Sequence, residues 1–392
     1  MNPLRTVFVK EVRDNLRDRR TLLSALLMGP LFGPILFAFV INISLKQSLS
    51  DDSEPLDVPV IGHEYAPNLI AFLKSNNINI SAAPADRAAA VEAVKTGEQD
   101  LVLVIPETFG EQLADTVPAM VEVISDLANT QAQRQSRRAV RALRSYNQQL
   151  AATRLIARGV SPAVLRPLNI DVVDVSTPSG RSALLLGMLS YFFVFALLTG
   201  GMNLAIDSTA GERERGSLEP LLCLPVTRDQ LIFGKIFAAC LFMAVSLGLS
   251  LVSFHLMLKF VPLEKLGMTP NFGPLVVAKA FLLFVPFTLL GASLMTLVAS
   301  FTKSFKEAQT WLSVVLLAPT LPILIVSILM VRPSTELMLI PSLSQHLLLV
   351  GLIKNEPVDM LHVLVSVSGT LIIGGLLTLV CARLYRREGL LG

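Results

Sequence analysis

Charge is what this sequence most lacks. Asp, Glu, Lys and Arg make up only 16% of its 392 residues, against 52% hydrophobic, and the mean hydropathy is +0.61. A soluble domain carries about 25% charged residues, so this chain cannot cover a water-facing surface of its size. Cysteine is scarce as well. Cys223, Cys240 and Cys381 all lie in or beside the apolar half, and none falls in the long polar segment at residues 46–180, which leaves no disulfide framework there. Catalytic signatures are missing too. No G-x-x-x-x-G-K-[ST] phosphate loop occurs, since Gly234-Lys235 is followed by Ile236. Neither H-E-x-x-H nor G-x-S-x-G is present. These absences exclude a soluble enzyme, a disordered protein and a secreted disulfide scaffold, and a net charge of +3 is too small to argue for nucleic acid.

What is abundant is uninterrupted apolar sequence. Residues 21–45, 182–206, 236–258, 280–302, 308–331 and 360–382 contain no Asp, Glu, Lys or Arg. At about 1.5 Å per residue each is long enough to cross a hydrocarbon core of about 30 Å. Residues 337–353 are shorter and are broken by Pro341, Ser342, Ser344, Gln345 and His346, which reads as a re-entrant segment. The placing of basic residues agrees with six crossings. Arg5, Lys10, Arg13, Arg17, Arg19 and Arg20 precede the first; Arg213, Arg215 and Arg228 follow the second; Lys303 and Lys306 follow the fourth; Arg383, Arg386 and Arg387 close the chain. With six spans all of these face the cytoplasm, as do both termini. The first apolar run is too long for a signal-peptide core and ends in no small-x-small cleavage site. Ahead of it, in residues 1–20, Leu4, Val7, Phe8, Val12 and Leu16 recur at helical spacing among basic residues, the pattern of an interfacial helix with its apolar face in lipid.

The expected architecture is therefore an α-helical polytopic membrane protein of six transmembrane helices, with an extracytoplasmic α/β domain at residues 46–180 inserted between the first and second spans. In that domain, residues 58–62, 100–105, 119–125 and 169–175 read as strands, and residues 68–75, 87–96 and 129–158 as helices. Acids dominate residues 51–126, whereas residues 134–166 hold arginines and no acid. The long helix is expected to pack its arginines on the acidic half of the same domain, with anionic headgroups or an extracytoplasmic partner as the alternative. Residues 181–392 form the five-helix region.

Within it, the segment at residues 207–228 stands out. Alternating charges at Glu212, Arg213, Glu214 and Arg215 keep the chain in water or pair it with a charged partner, Gly216 permits a bend, and Leu218, Leu221 and Leu222 make a short apolar stripe closed by Pro225. A short amphipathic rod of this kind suits a groove on a soluble protein, with Glu212 as a rim charge; the plainer alternative is a connector. Asn203, Asp207, Ser208 and Thr209 put oxygen ligands at the cytoplasmic end of the second span, a set that suits a hard cation, although Asp207 is close enough to the interface to be simply hydrated. No metal cluster is apparent.

Glu212-Arg-Glu-Arg-Gly-Ser-Leu-Glu-Pro-Leu-Leu with Pro225 resembles the signature loop of type-2 ABC-transporter permeases, and most of all their sodium-efflux (NatB-like) branch. Phe8-Val-Lys-Glu-Val-Arg, Asp18-Arg-Arg-Thr-Leu, Leu101-Val-Leu-Val-Ile-Pro, residues 154–162 and Leu384-Tyr-Arg-Arg-Glu-Gly carry the resemblance along nearly the whole chain. Ser217 stands where the family often has Thr. The resemblance implies the permease subunit of an exporter in the cell (inner) membrane, paired as a homodimer or with a paralogous permease and binding two copies of a separate ABC ATPase. In it Glu212, Arg213, Glu214, Arg215, Gly216, Leu218, Glu219, Leu221, Leu222 and Pro225 form the coupling helix. The chain itself is expected to bind no cofactor, ATP and Mg being used by the partner. It also implies sodium as cargo, and re-entrant segments between the fifth and sixth spans. An exporter of lipid, peptide or drug is the alternative. A membrane sensor or receptor is weaker, because no cytoplasmic segment has room for a kinase or cyclase.

Overall fold

A computed structural model describes residues 3–18, 23, 27, 29–53, 55–165, 168, 177–217, 220–221, 225–266, 268–329 and 333–386. The chain divides into two compact units, Leu45–Val173 and the pair of segments Met1–Ser44 and Asp174–Gly392.

The smaller unit is built on a four-stranded sheet: β1 (Leu56–Ile61), β2 (Ile78–Ser81), β3 (Leu101–Val104) and β4 (Glu122–Ser125), in spatial order β2-β1-β3-β4. β1 runs parallel to β2 and β3, while β4 pairs antiparallel with β3. The helix Pro67–Ser75 connects β1 to β2, and Arg87–Lys95 carries the chain from β2 across β1 to β3, the crossovers that parallel strands require. Leu56, Val58, Val60, Leu69, Leu73, Ile78, Leu101 and Leu103 fill the core, and the long helix Thr130–Ala157 closes it with Ala139, Ala142, Leu143 and Tyr146. Asn129 starts that helix by accepting the amide of Gln131 at 2.9 Å. Two of its arginines reach main-chain groups of the same unit. Arg154 donates to the carbonyl of Leu113 at 2.6 Å and Arg138 to that of Asn77 at 3.4 Å. β2, the helix Phe109–Ala114 and the short 3-10 turns His63–Tyr65 and Pro162–Leu165 go beyond the sequence reading, and β4 is shorter than expected. The strand expected at residues 169–175 lies outside the described residues.

In the larger unit, five helices among the described residues are long and apolar enough to cross a membrane: Leu189–Glu214, Arg228–Leu258, Pro274–Ser300, Phe305–Val326 and Met360–Arg386. Gly29–Ile43 is a shorter apolar helix within Gly29–Ser53, and part of the run expected as the first span lies outside the described residues. The stretch read as one span from residue 182 is two helices, Pro178–Leu186 and Leu189–Ile206, separated at Gly187-Met188. The core packs Phe193 edge-on against Phe254 at 5.4 Å and against Phe284 at 6.1 Å. The buried face of Met360–Arg386 is made of small residues, Ser366, Thr370, Gly374, Thr378, Cys381 and Ala382, until Tyr385 near its end. Thr370 and Thr378 return their protons to carbonyls one turn back, and Ser293 and Thr378 bond at 2.6 Å, which lets these helices approach closely without orphaned hydroxyls.

Leu343–Lys354 has 12 residues, about 18 Å of helix at 1.5 Å per residue, well short of the roughly 30 Å a crossing needs. The polar residues that interrupt its hydropathy are buried rather than exposed. Gln345 accepts the Ser342 amide at 2.7 Å and donates to Thr370 at 2.9 Å, and His346 shares a 2.6 Å hydrogen bond with Ser190.

The N-terminal helix α1 (Pro3–Arg17) is present, but its apolar face is not wholly in lipid: Val7 and Glu11 are buried. Val7 lies so close to Gly234 that a Cβ built there would sit 2.7 Å from its methyl. A larger residue at position 234 would force the two helices apart.

Candidate functional site

The second span does not end at the first charge. Leu189–Ile206 runs on through a π-helical turn, Asp207–Gly211, into Glu212–Glu214. Glu and Arg are good helix formers, so nothing in that stretch stops the helix, and the wider turn is of the kind often found at functional sites. The extension buries Glu212 and half-buries Arg213, where the sequence suggests a solvated rod, while Glu214 and Arg215 stay exposed.

Glu212 is only 6% exposed. Its carboxylate pairs directly with the ammonium of Lys235, itself 1% exposed on the next span, and Lys235 also donates to the carbonyl of Ser208 at 2.6 Å. The other carboxylate oxygen lies 3.7 Å from Lys10 of α1, which pairs with Glu11 at 2.9 Å and lies 3.8 Å from Asp14. Partial burial of Lys10 works against its charge, but the Glu11 carboxylate, helped by Glu212 and Asp14, holds its pKa above the ordinary value. Glu212 is therefore no rim charge. It joins the N-terminal helix, the second span and the third.

The two following charges face other helix ends. Arg213 donates to the carbonyls of Thr302 at 2.7 Å and Ser300 at 2.9 Å, satisfying the C-terminus of Pro274–Ser300. Glu214 accepts the amide of Phe305 at 2.6 Å, at the start of Phe305–Val315, where a carboxylate complements the helix dipole. Arg215 turns back to Asp207, 2.8 Å away. Gly216 then takes φ +64, a left-handed conformation that costs glycine nothing, and the chain reverses. Beyond the reversal Leu221 is half-buried beside a largely apolar cavity of about 210 Å³ formed with Thr6, Val7, Val226 and Leu231, while Pro225 is exposed. Leu218, Glu219 and Leu222 lie outside the described residues.

The expected oxygen-ligand set is split. Asn203 and Asp207 line a cavity of about 200 Å³ together with Glu11, Asp14, Asn15 and Asp18. Ser208 and Thr209 are buried away from it: the Ser208 carbonyl receives Lys235, and the Thr209 hydroxyl donates to Ala205 at 2.5 Å. Among the described residues no three His, Cys, Asp or Glu side chains converge as metal ligands. Lys235, Lys10, Glu11, Ser300 and Thr302 escape the sequence reading as parts of this site. Lys235 had a signal, since it is the lone basic residue within an otherwise apolar stretch, and such residues are functional candidates by default.

Comparison with known proteins supplies a frame for this geometry. The family described as ABC-2 family transporter protein matches residues 20–382. The ABC transporter permease protein NatB of Bacillus subtilis (strain 168) is 28% identical over 321 residues, which cover 81% of this chain and 80% of the relative. No solved structure matches the chain.

Proposed function

Because the chain belongs to the ABC-2 transporter family, and so is the membrane permease of an ABC transporter whose ATPase is a separate chain, we propose that it is an exporter subunit whose cargo is the sodium ion. Two permeases, alike or paralogous, assemble with two ATPase subunits, and those subunits handle ATP and Mg. The segment around Leu221 docks on the ATPase. The observation that carries this reading is the wiring of the turn behind it. Glu212 is held by Lys235 of the third span, Arg213 by the end of the fourth and Glu214 by the start of the fifth. A displacement applied at Leu221 is thus delivered to three spans at once, which is what coupling requires.

The topology we adopt counts residues 21–45 as a further crossing, giving six spans with both termini in the cytoplasm and the α/β unit outside. The grouping of Arg213, Arg215, Arg228, Lys303, Lys306, Arg383 and Arg386 beyond alternate spans supports it. Sodium follows from the resemblance to the efflux branch, and the cavity lined by Glu11, Asp14, Asp18 and Asp207 gives a hard cation an oxygen-rich entrance on the cytoplasmic side. The test is sodium flux in vesicles holding the permease and its ATPase. ATP-dependent loading of inside-out vesicles with sodium supports the reading; ATP turnover with no sodium movement at any imposed gradient removes sodium as cargo.

A further inference from the structure

A cavity of about 800 Å³ lies between the start of Pro274–Ser300, the end of Leu343–Lys354 and the start of Met360–Arg386. It lies at the opposite end of Pro274–Ser300 from Ser300, where Arg213 of the charged turn is bound. Its walls are mostly apolar, with Leu282 and Val363 along them. Its rims are open: Leu275, Leu282 and Met360 are 68%, 70% and 69% exposed. All three belong to helices able to cross a membrane, so the groove opens sideways into lipid. Lys279 lines its mouth, about 7.5 Å along the helix from Pro274, the depth at which a lysine reaches the headgroups. Lys279 makes no hydrogen bond or ion pair with any described residue. The nearby Glu356 has its own partner, Lys354, at 3.9 Å.

We propose that this groove holds one glycerophospholipid from the adjoining leaflet, its phosphate on the ammonium of Lys279 and an acyl chain along the apolar wall. A concave channel with an unpaired cation at its mouth fits an amphiphile with an anionic group and a flexible tail. A helix of a second copy laid over it would bury the ammonium, which is costly because Glu356, the carboxylate lining the cavity, is already paired with Lys354.

The full-length protein, reconstituted in vesicles of phosphatidylglycerol and phosphatidylethanolamine and released for native mass spectrometry, is expected to retain one phospholipid per chain. Lys279→Ala should lower the retained fraction at least fivefold, and Val363→Trp, which fills the groove, should do the same. Lys279→Arg should keep it. Lys279 is exposed, so Lys279→Ala should melt as the wild type does and the loss will report binding. Wild-type retention in both Lys279→Ala and Val363→Trp overturns the proposal. So does a disulfide-linked dimer formed by Leu282→Cys in the membrane but not by the wild type, because a second copy then covers the groove.

Discussion

Replacing Glu212 by glutamine removes one charge at nearly constant volume, and the structure fixes how much that should matter. Lys235, 1% exposed, would keep the Ser208 carbonyl at 2.6 Å but lose its counter-charge. Lys10 cannot take over, being itself a cation, nor can its attraction to Glu212 add much, because its side chain is 45% exposed and the 3.7 Å contact is screened. Removing one partner of a buried pair costs about 3–5 kcal/mol. At roughly 2 °C per kcal/mol for a chain of this size, the melting temperature should fall by about 6–10 °C. Replacing both partners is a different matter, since an apolar or neutral pair of similar volume is often no worse than the ion pair. Glu212→Gln with Lys235→Met should therefore recover most of the loss, with a coupling energy of about 2 kcal/mol or more. Thermal unfolding of the wild type, both single variants and the double variant in one detergent completes the cycle. A Glu212→Gln single variant that melts with the wild type, or a double variant no better than the worse single, would show that Lys235 is hydrated and that the pair holds nothing together.

Leu221→Asp places a charge in the proposed ATPase contact, at a cost of several kcal/mol; co-purifying ATPase and ATP-driven transport should be lost while insertion and melting temperature stay near wild type, and full ATPase binding would reduce the segment to a connector. Gly234→Leu should push α1 away from the third span, because even a Cβ there meets Val7 at 2.7 Å; hydrogen exchange over Pro3–Arg17 should rise by at least tenfold, and unchanged protection would refute that packing. Cysteine at Asp126 should be labelled by an impermeant reagent from outside, and cysteine at Lys303 only after permeabilisation; the reverse pattern would invert the topology.

The sequence tells a good deal about the membrane unit and less about its charged parts, for one physical reason. Long apolar runs need no partner to be recognised, so the third, fourth and last crossings can be read from composition. A buried charge is recognisable only with its counter-charge, and Glu212 and Lys235 are brought together by folding. A criterion that ends a span at the first charge stops at Ile206 and begins the next at Ile236, and so sets aside both members of the pair. The polar residues of Leu343–Lys354 pose the same problem. Ser344 and Gln345 look incompatible with burial until Ser366 and Thr370 on another helix are seen to bond them. In the α/β unit the missed strand Ile78–Ser81 has four residues, too few for alternation to register.

The coupling turn divides its work by direction. Glu212, Arg213 and Glu214 occupy one continuous helical extension, so they move together, and each is anchored on a different helix. Two of the three anchors are main-chain groups, the Ser300 and Thr302 carbonyls and the Phe305 amide. A side-chain partner could absorb a displacement by changing rotamer, whereas a helix terminus passes it to the whole helix. The third anchor, Lys235, is fully buried and equally unable to swing into solvent. Past Gly216, which takes φ +64, Leu221 is half-buried beside α1 and Pro225 is exposed, and neither carries a charge matched to a helix end. A stiff inner arm fixed to three spans and a short outer arm free to meet another protein make a lever. The identity of the outer arm can change with its partner while the inner arm cannot, because each of its charges is matched to one place in the membrane unit.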